Sequence, residues 1–118
     1  MKALIIDDDD LVRKSLKRAL AMRGHEVTEA SNGLEGLALW KTHSPDLVVL
    51  DVLMPEMSGI EVLQSRPVES RAKVVMISAF TGHESPEHFQ NLGASKFIAK
   101  PFSNIFQTVE DLEKEVGD

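Results

Sequence analysis

Five short segments with the character of β-strands alternate along this chain with segments whose apolar residues recur at helical spacing. The central strand segment, residues 47–50 (LVVL), is wholly apolar and leads directly into Asp51 and a loop that contains Pro55 and Gly59. An uninterrupted apolar run bounded by turn residues is typical of a strand buried on both faces. Because strands separated by helices lie parallel in their sheet, the alternation predicts an α/β protein.

The other strands are predicted at residues 3–6, 26–30, 73–77 and 96–99. Residues 26–30 alternate polar and apolar side chains, so this strand is expected at an edge of the sheet. The helices are predicted up to Gly24, from Asn32-Gly33 to before Pro45, from Gly59 to Ser65, from a Ser85 cap and Pro86 to Gly93, and from near Ser103 onward. Right-handed crossovers favour a doubly wound, five-stranded parallel sheet in a three-layer sandwich, with the flavodoxin-like order 2-1-3-4-5.

Composition indicates a single domain over residues 1–118, because 118 residues with 42% hydrophobic content suffice for one core. The apolar runs are too short to span a bilayer and no signal peptide is visible, so we expect a cytoplasmic protein without a membrane partner. The absence of cysteine excludes disulfides, and the charge of -6 argues against direct nucleic-acid binding. Four scattered histidines are predicted to be surface residues and not metal ligands or phosphoacceptors: His25, His43, His83 and His88.

Acidic residues follow the first and third strands, at Asp7, Asp8 and Asp51. In the predicted order these strands are neighbours, so the three carboxylates should converge at the carboxyl end of the sheet. Converging carboxylates repel one another unless a cation neutralises them. Oxygen ligands alone favour Mg²⁺, with Mn²⁺ as a substitute. Asp9 and Asp10 are predicted to be solvated residues at the start of a helix.

Ser78 follows the fourth strand and Lys100 follows the fifth, so both should reach the same crevice. A metal ion, an ammonium group and a hydroxyl around a carboxylate can hold the equatorial oxygens of a transferring phosphoryl group. Asp51 is therefore predicted to be a nucleophile that forms an aspartyl phosphate, with Ser78 and Lys100 as the other catalytic residues.

Taken together, these features resemble the receiver domain of response regulators in two-component signalling, the CheY-like family. The resemblance covers essentially the whole chain and rests on four groups of residues, each after its own strand: Asp7-Asp8, Asp51 with Met54-Pro55 and Gly59, Ser78-Ala79, and Lys100-Pro101-Phe102. It implies that Asp51 accepts a phosphoryl group from a sensor histidine kinase or a histidine phosphotransfer protein. It further implies a protein that catalyses only its own phosphoryl transfer and dephosphorylation.

The resemblance also implies a ligand set for the metal. Asp8, Asp51 and the backbone carbonyl of Leu53 would bind Mg²⁺ directly, and Asp7 would act through water. The Leu53 side chain, together with Phe80, stands where many relatives have polar residues that affect hydrolysis of the aspartyl phosphate. Because neither side chain can orient a water molecule, a long-lived phosphorylated state is expected.

Signal output in this family depends on a switch, which the resemblance assigns to Ser78 and Phe97. The Lys100–Pro101 peptide bond is expected to be cis. The partner of the switched surface would be a downstream protein target or a C-terminal output domain beyond these residues.

Three other functions stay open on the sequence alone. A metal-dependent phosphohydrolase with an aspartate nucleophile normally has a second acid two residues later, where this chain has Leu53. A flavin-binding domain shares the fold, but the aspartates after the first strand would repel a phosphate. A phosphorylation-independent interaction module is the third, and the intact set of acceptor residues argues against it.

Overall fold

The computed structural model describes residues 1–79 and 86–117, and within them strands and helices alternate throughout. The strands are β1 (Lys2–Ile6), β2 (Glu26–Ala30), β3 (Leu47–Asp51), β4 (Lys73–Ser78) and β5 (Lys96–Ala99). The helices are α1 (Asp10–Ala21), α2 (Gly33–His43), α3 (Gly59–Gln64), α4 (Pro86–Asn91) and α5 (Ile105–Gly117). No helix in this described part of the chain is both long and apolar enough to cross a membrane.

The five strands form one parallel sheet in the order β2-β1-β3-β4-β5, which confirms the predicted topology. β2 lies at an edge, as its alternating sequence predicts. In the centre, Ile6 of β1 is paired with Leu50 of β3. The residues that follow them, Asp7 and Asp51, therefore reach the same end of the sheet, where ligand sites of this architecture lie.

The sheet has an apolar core on each face, because successive residues of a strand point to opposite sides. In β3, Val48 and Leu50 belong to one core, and Leu47 and Val49 belong to the other. The first core is completed by buried residues of α2, α3 and α4, namely Trp40, Val62, Leu63 and Phe89. The second is completed by buried residues of α1 and α5, namely Leu16, Ala19, Leu20, Val109 and Leu112. This is the predicted three-layer sandwich.

The helix ends lie close to the predicted positions. The sequence predicts the start of α5 near Ser103, and the helix begins at Ile105. The side-chain oxygen of Asn104 accepts hydrogen bonds from the backbone N–H groups of Phe106 and Gln107, at 3.0 and 3.2 Å. Asn104 is therefore the capping residue. The predicted Ser85 cap of α4 lies outside the described residues.

Of the predicted surface histidines, His43 and His88 are exposed and His25 is partly exposed. The His25 side chain is 16% exposed, and its Nε2 lies 2.6 Å from a carboxylate oxygen of Glu113 on α5. Because the two residues are far apart in sequence, no local pattern indicates this contact. His83 lies outside the described residues.

Candidate functional site

Three acidic side chains meet at the carboxyl end of β1 and β3. Asp7 is fully buried, Asp51 is 3% exposed, and Asp8 is open to solvent. One carboxylate oxygen from each lies within 4.8 Å of the other two. The structure thus brings together the three carboxylates that the sequence places after neighbouring strands.

The backbone N–H and both carboxylate oxygens of Asp7 form hydrogen bonds within the protein. Its backbone N–H donates to the carbonyl oxygen of Ala30 at 3.2 Å, which ties the end of β1 to β2. One carboxylate oxygen accepts from the N–H of Asp9 at 2.8 Å, and the other accepts from the Lys100 ammonium at 3.1 Å. Because both oxygens already accept hydrogen bonds within the protein, Asp7 has fewer free lone pairs to offer than the exposed Asp8.

Asp9 and Asp10 have structural roles, as the sequence predicts. The Asp9 carboxylate caps α1 by accepting hydrogen bonds from the N–H groups of Leu11 and Val12. Asp10 forms an ion pair with Arg13 one turn later. Neither residue belongs to the group of three converging carboxylates.

Lys100 enters the site from the end of β5. Its backbone N–H donates to the carbonyl oxygen of Ser78 at 2.8 Å, so the ends of β4 and β5 are fixed together. The peptide bond from Lys100 to Pro101 is cis, which is the isomer expected from the resemblance. The ammonium group lies 3.5 Å from a carboxylate oxygen of Asp51 and is largely buried. It is the cation that faces the two buried carboxylates in the described site.

The electrostatics show that one ammonium group does not neutralise this cluster. Burial, and then the negative charge of Asp7, raise the pKa of Asp51 to about 7, although Lys100 acts in the opposite direction. Burial by itself would lower the pKa of Lys100, but the hydrogen bond to Asp7 and the charges of Asp7 and Asp51 raise it. The surroundings of Asp51 therefore contain too little positive charge to compensate its carboxylate. An added cation would favour the ionised form of Asp51.

The loop after Asp51 depends on Gly59 at the start of α3. The N–H of Gly59 donates to the carbonyl oxygen of Val52 at 2.9 Å. A Cβ atom at this position would lie 2.0 Å from the backbone carbonyl oxygen of Asp51, so no larger residue fits without moving the backbone. Gly59 thus allows the loop to fold back closely onto the strand end that carries Asp51.

A cavity of about 340 Å³ opens above the site, lined by Asp8, Asp9, Asp51, Leu53, Ser78, Ala79 and Lys100. Leu53 is 59% exposed, and Ser78 is buried. A larger cavity of about 480 Å³ lies beside Trp40 at the opposite end of the sheet. We place the site in the smaller cavity, because the converging carboxylates and Lys100 border that one.

The other residues predicted around the site lie further away or outside the described residues. Phe97 on β5 is half-buried and stacks on Phe89 of α4, with ring centroids 5.1 Å apart and an interplanar angle of 7°. Phe80 lies outside the described residues.

The chemistry of the donor set fits a hard divalent cation. The ligands on offer are carboxylate oxygens, two of them from nearly or fully buried residues. No histidine joins this cluster among the described residues, and the chain contains no cysteine. Mg²⁺ prefers a few carboxylate oxygens and retains water molecules, which the solvent-exposed side of Asp8 would admit.

Arg13 is a residue of this region that the sequence analysis missed. It lies on α1, is only 7% exposed, and donates a hydrogen bond to the backbone carbonyl oxygen of Asp7 at 2.8 Å. Its position three residues before Leu16 and seven before Leu20 places it on the apolar stripe of the helix. A charged residue on that stripe is the signal that could have revealed it.

Comparison with known proteins identifies the family. The model of the response regulator receiver domain matches residues 3–110. This chain belongs to that family. The match confirms the resemblance and assigns the chain to the receiver domains of two-component systems.

Individual relatives of this receiver domain agree with the assignment. The chemotaxis protein CheY of Bacillus subtilis is 39% identical over 103 residues, which cover 86% of each chain. The protein-glutamate methylesterase/protein-glutamine glutaminase 3 of Rhodospirillum rubrum is 42% identical over 121 residues, which cover 99% of this chain and 32% of that protein. The chain spans less than half the length of several of its curated relatives.

Solved structures match the receiver domain over almost its whole length. The chemotaxis protein CheY4 of Vibrio cholerae superposes with a TM-score of 0.87 at 28% identity, covering 97% of both chains. A CheY-like response regulator receiver domain protein from Methanospirillum hungatei JF-1 gives a TM-score of 0.89 at 29% identity, covering 98% of this chain and 92% of the other.

Proposed function

We propose that residues 1–118 act as one receiver domain that accepts a phosphoryl group on Asp51 in a Mg²⁺-dependent reaction. The observation that carries this proposal is the position of Asp51. Its carboxylate is almost buried, lies 3.5 Å from the Lys100 ammonium, and belongs to a cluster of three carboxylates at the mouth of a cavity. A carboxylate so placed is well suited to attack phosphorus while its surroundings stabilise the charge that develops.

The donor in this proposal is a phosphohistidine on a sensor histidine kinase or a histidine phosphotransfer protein. A carboxylate oxygen of Asp51 forms a bond to phosphorus while the bond between phosphorus and the donor imidazole nitrogen breaks. The electron pair of the broken bond stays with that nitrogen, and the donor ring, which carries a proton on its other nitrogen, leaves as neutral imidazole. The chain catalyses only this transfer and the later hydrolysis of its own aspartyl phosphate.

Each residue of the site has a role in the proposed transfer. Asp8, Asp51 and the backbone carbonyl of Leu53 would hold Mg²⁺, with Asp7 acting through water and Mn²⁺ as a substitute ion. When bound, the cation neutralises the charge of the phosphoryl oxygens. The Lys100 ammonium and the Ser78 hydroxyl bind the remaining oxygens, and the charge of Lys100 also favours the ionised form of Asp51.

Phosphorylation would then alter the surface that includes β5. Ser78 is tied through its carbonyl oxygen to Lys100, and Phe97 lies three residues before Lys100 on the same strand. We propose that movement of Ser78 toward the phosphoryl group changes the packing of Phe97 against Phe89. The altered surface would bind a downstream protein target or an output domain of a longer chain.

Incubation with a small phosphodonor such as acetyl phosphate tests the proposal. We expect incorporation of one phosphoryl group per chain that requires Mg²⁺, is abolished in Asp51→Asn, and survives in the control Asp9→Asn. The control removes the same charge but keeps a good helix cap. Equal incorporation into Asp51→Asn and the parent protein would contradict the proposal.

A further inference from the structure

We infer that Arg13 is a positioning residue for the metal ligands. It fixes the turn from Asp7 to Asp8 through the backbone carbonyl of Asp7 and does not touch the reacting groups. The inference rests on the proposed function, because it concerns how the proposed Mg²⁺ site is held. Its evidence is a set of contacts that the sequence motifs of the site do not include.

All three nitrogen atoms of the Arg13 guanidinium group contact acceptors, each on a different residue. Nη1 donates to the backbone carbonyl oxygen of Asp7 at 2.8 Å, and Nε donates to a carboxylate oxygen of Glu29 on β2 at 2.7 Å. Nη2 forms an ion pair with Asp10 at the start of α1. One side chain thus joins β2, the start of α1 and Asp7, the residue that follows β1 and begins the acidic turn.

These contacts restrict the peptide unit between Asp7 and Asp8. The N–H of Asp7 is already bonded to Ala30, so with Arg13 on its carbonyl both backbone polar groups of Asp7 are fixed. The orientation of the Asp7 carbonyl also sets the direction in which the chain continues into Asp8. Asp8 itself is exposed, and its position relative to Asp51 depends on this turn.

The arginine is itself held firmly in place. Its side chain is 9% exposed, and its partner Glu29 also forms an ion pair with Lys17 at 3.2 Å. The hydrogen bond from Arg13, chiefly, lowers the pKa of Glu29, so this partner is ionised at neutral pH. A planar group with several fixed donors can join three acceptors, which a lysine ammonium cannot match in geometry.

The test compares two variants that remove the same charge from the same helix. Arg13→Met removes the bond to Asp7, whereas Lys17→Met removes the other cation on Glu29 and leaves Asp7 untouched. Mg²⁺ dissociation constants are measured by isothermal titration calorimetry at one pH and ionic strength. Loss of an outer contact to a direct metal ligand typically weakens binding by about 10–100-fold. Because Asp7 would act through water, we expect the lower end, about tenfold, for Arg13→Met, and about twofold or less for Lys17→Met.

A second readout separates positioning from a general loss of structure. The rate of phosphorylation by acetyl phosphate is measured as a function of Mg²⁺ concentration, together with melting curves in EDTA. For Arg13→Met we expect a higher half-saturating Mg²⁺ concentration and a rate near that of the parent at saturation. Arg13→Lys is the second variant in case Arg13→Met does not fold, and it should shift the Mg²⁺ dependence in the same direction.

Two outcomes would overturn the inference: Mg²⁺ binding by the Arg13 variants that equals that of Lys17→Met, or a rate that stays low at saturating Mg²⁺. Failure of the proposed function gives a different result, because the parent protein itself would then bind no Mg²⁺ at the site or would incorporate no phosphoryl group at saturating Mg²⁺.

Discussion

Among single residues, Asp51 carries an electrostatic cost in the metal-free protein. Its pKa is 3.8 in an unperturbed chain and about 7 in the fold, because of burial and then the charge of Asp7. Between these pH values the folded protein binds more protons than the unfolded chain, so stability falls as pH rises through this window. Above about pH 7 the full cost of the ionised group is present.

We therefore predict that Asp51→Asn stabilises the protein at pH 8 in EDTA. The expected gain is on the order of 1 kcal/mol or more, or about 4 °C or more in melting temperature. The gain should shrink as pH falls toward about 4, because Asp51 is then neutral in both states. Asp9→Asn is the control, since Asp9 is exposed and caps α1. A gain that is the same at pH 5 and pH 8 would contradict the account.

Leu53 governs a second prediction, which concerns the lifetime of the phosphorylated state. Its side chain is 59% exposed and borders the cavity that contains Asp51, so it lies next to the path by which water reaches Asp51. Replacing it with asparagine adds groups that can orient a water molecule, while the backbone carbonyl is retained. We expect faster loss of the phosphoryl group from Leu53→Asn after the donor is removed, by about tenfold if the effect reaches 1.4 kcal/mol. Decay at the parent rate, with unchanged Mg²⁺ affinity, would show that this side chain does not control hydrolysis.

The site residues divide into those that sequence can predict and those that it cannot. Asp51 and Lys100 follow apolar strand segments, so their place at the carboxyl end of the sheet follows from strand order alone. Arg13 reaches the site only through tertiary contacts with Asp7 and Glu29. A sequence pattern shows that an arginine lies on the apolar stripe of a helix. It does not show to which carbonyl oxygen the arginine donates a hydrogen bond.

At the scale of elements, α5 is fixed to the turn between α1 and β2 by Glu113. Arg23 donates two hydrogen bonds to the Glu113 carboxylate, at 2.8 and 2.7 Å, and His25 is its third partner. These hydrogen bonds, first from Arg23 and then from His25, lower the pKa of Glu113 to about 2. A lowered carboxyl pKa contributes stability that is present above about pH 4.5 and lost as pH falls toward 2.

We predict that Glu113→Gln destabilises the protein at pH 7 by about 0.5–1 kcal/mol, the upper range for a partly exposed ion pair. The difference from the parent should narrow as pH falls from 4.5 toward 2, where the parent loses the same charge. Urea unfolding at several pH values measures both effects. Glu110→Gln, an exposed acid on the same helix, serves as control. A difference of equal size at pH 3 and pH 7 would refute the role of the charge.

Elements differ in how well their sequence predicts them. β3 is recognisable because its residues are all apolar up to Asp51, and β2 because its side chains alternate. The sequence predicts the start of α5 only to within about two residues, since both Ser103 and Asn104 are residue types that cap helices. Only the hydrogen bonds from the backbone of Phe106 and Gln107 decide between them.

For the whole molecule, the sheet order follows from general rules of chain connection, and this explains why it could be predicted without a structure. The same rules place the ends of β1 and β3 side by side and so predict where Asp7 and Asp51 meet. Long-range pairs such as His25 with Glu113 depend on how helices pack on the finished sheet. Neither periodicity nor strand order specifies those pairs.

The central claim is that Asp51 receives the phosphoryl group, and chemical trapping of the phosphorylated protein tests it most directly. Borohydride reduces an aspartyl phosphate to homoserine, which mass spectrometry of the digested protein locates to one residue. After treatment with acetyl phosphate and Mg²⁺, the account predicts homoserine at position 51 and none when EDTA replaces Mg²⁺. Homoserine at another aspartate, or a phosphoryl group on a serine or histidine that borohydride leaves intact, would contradict it.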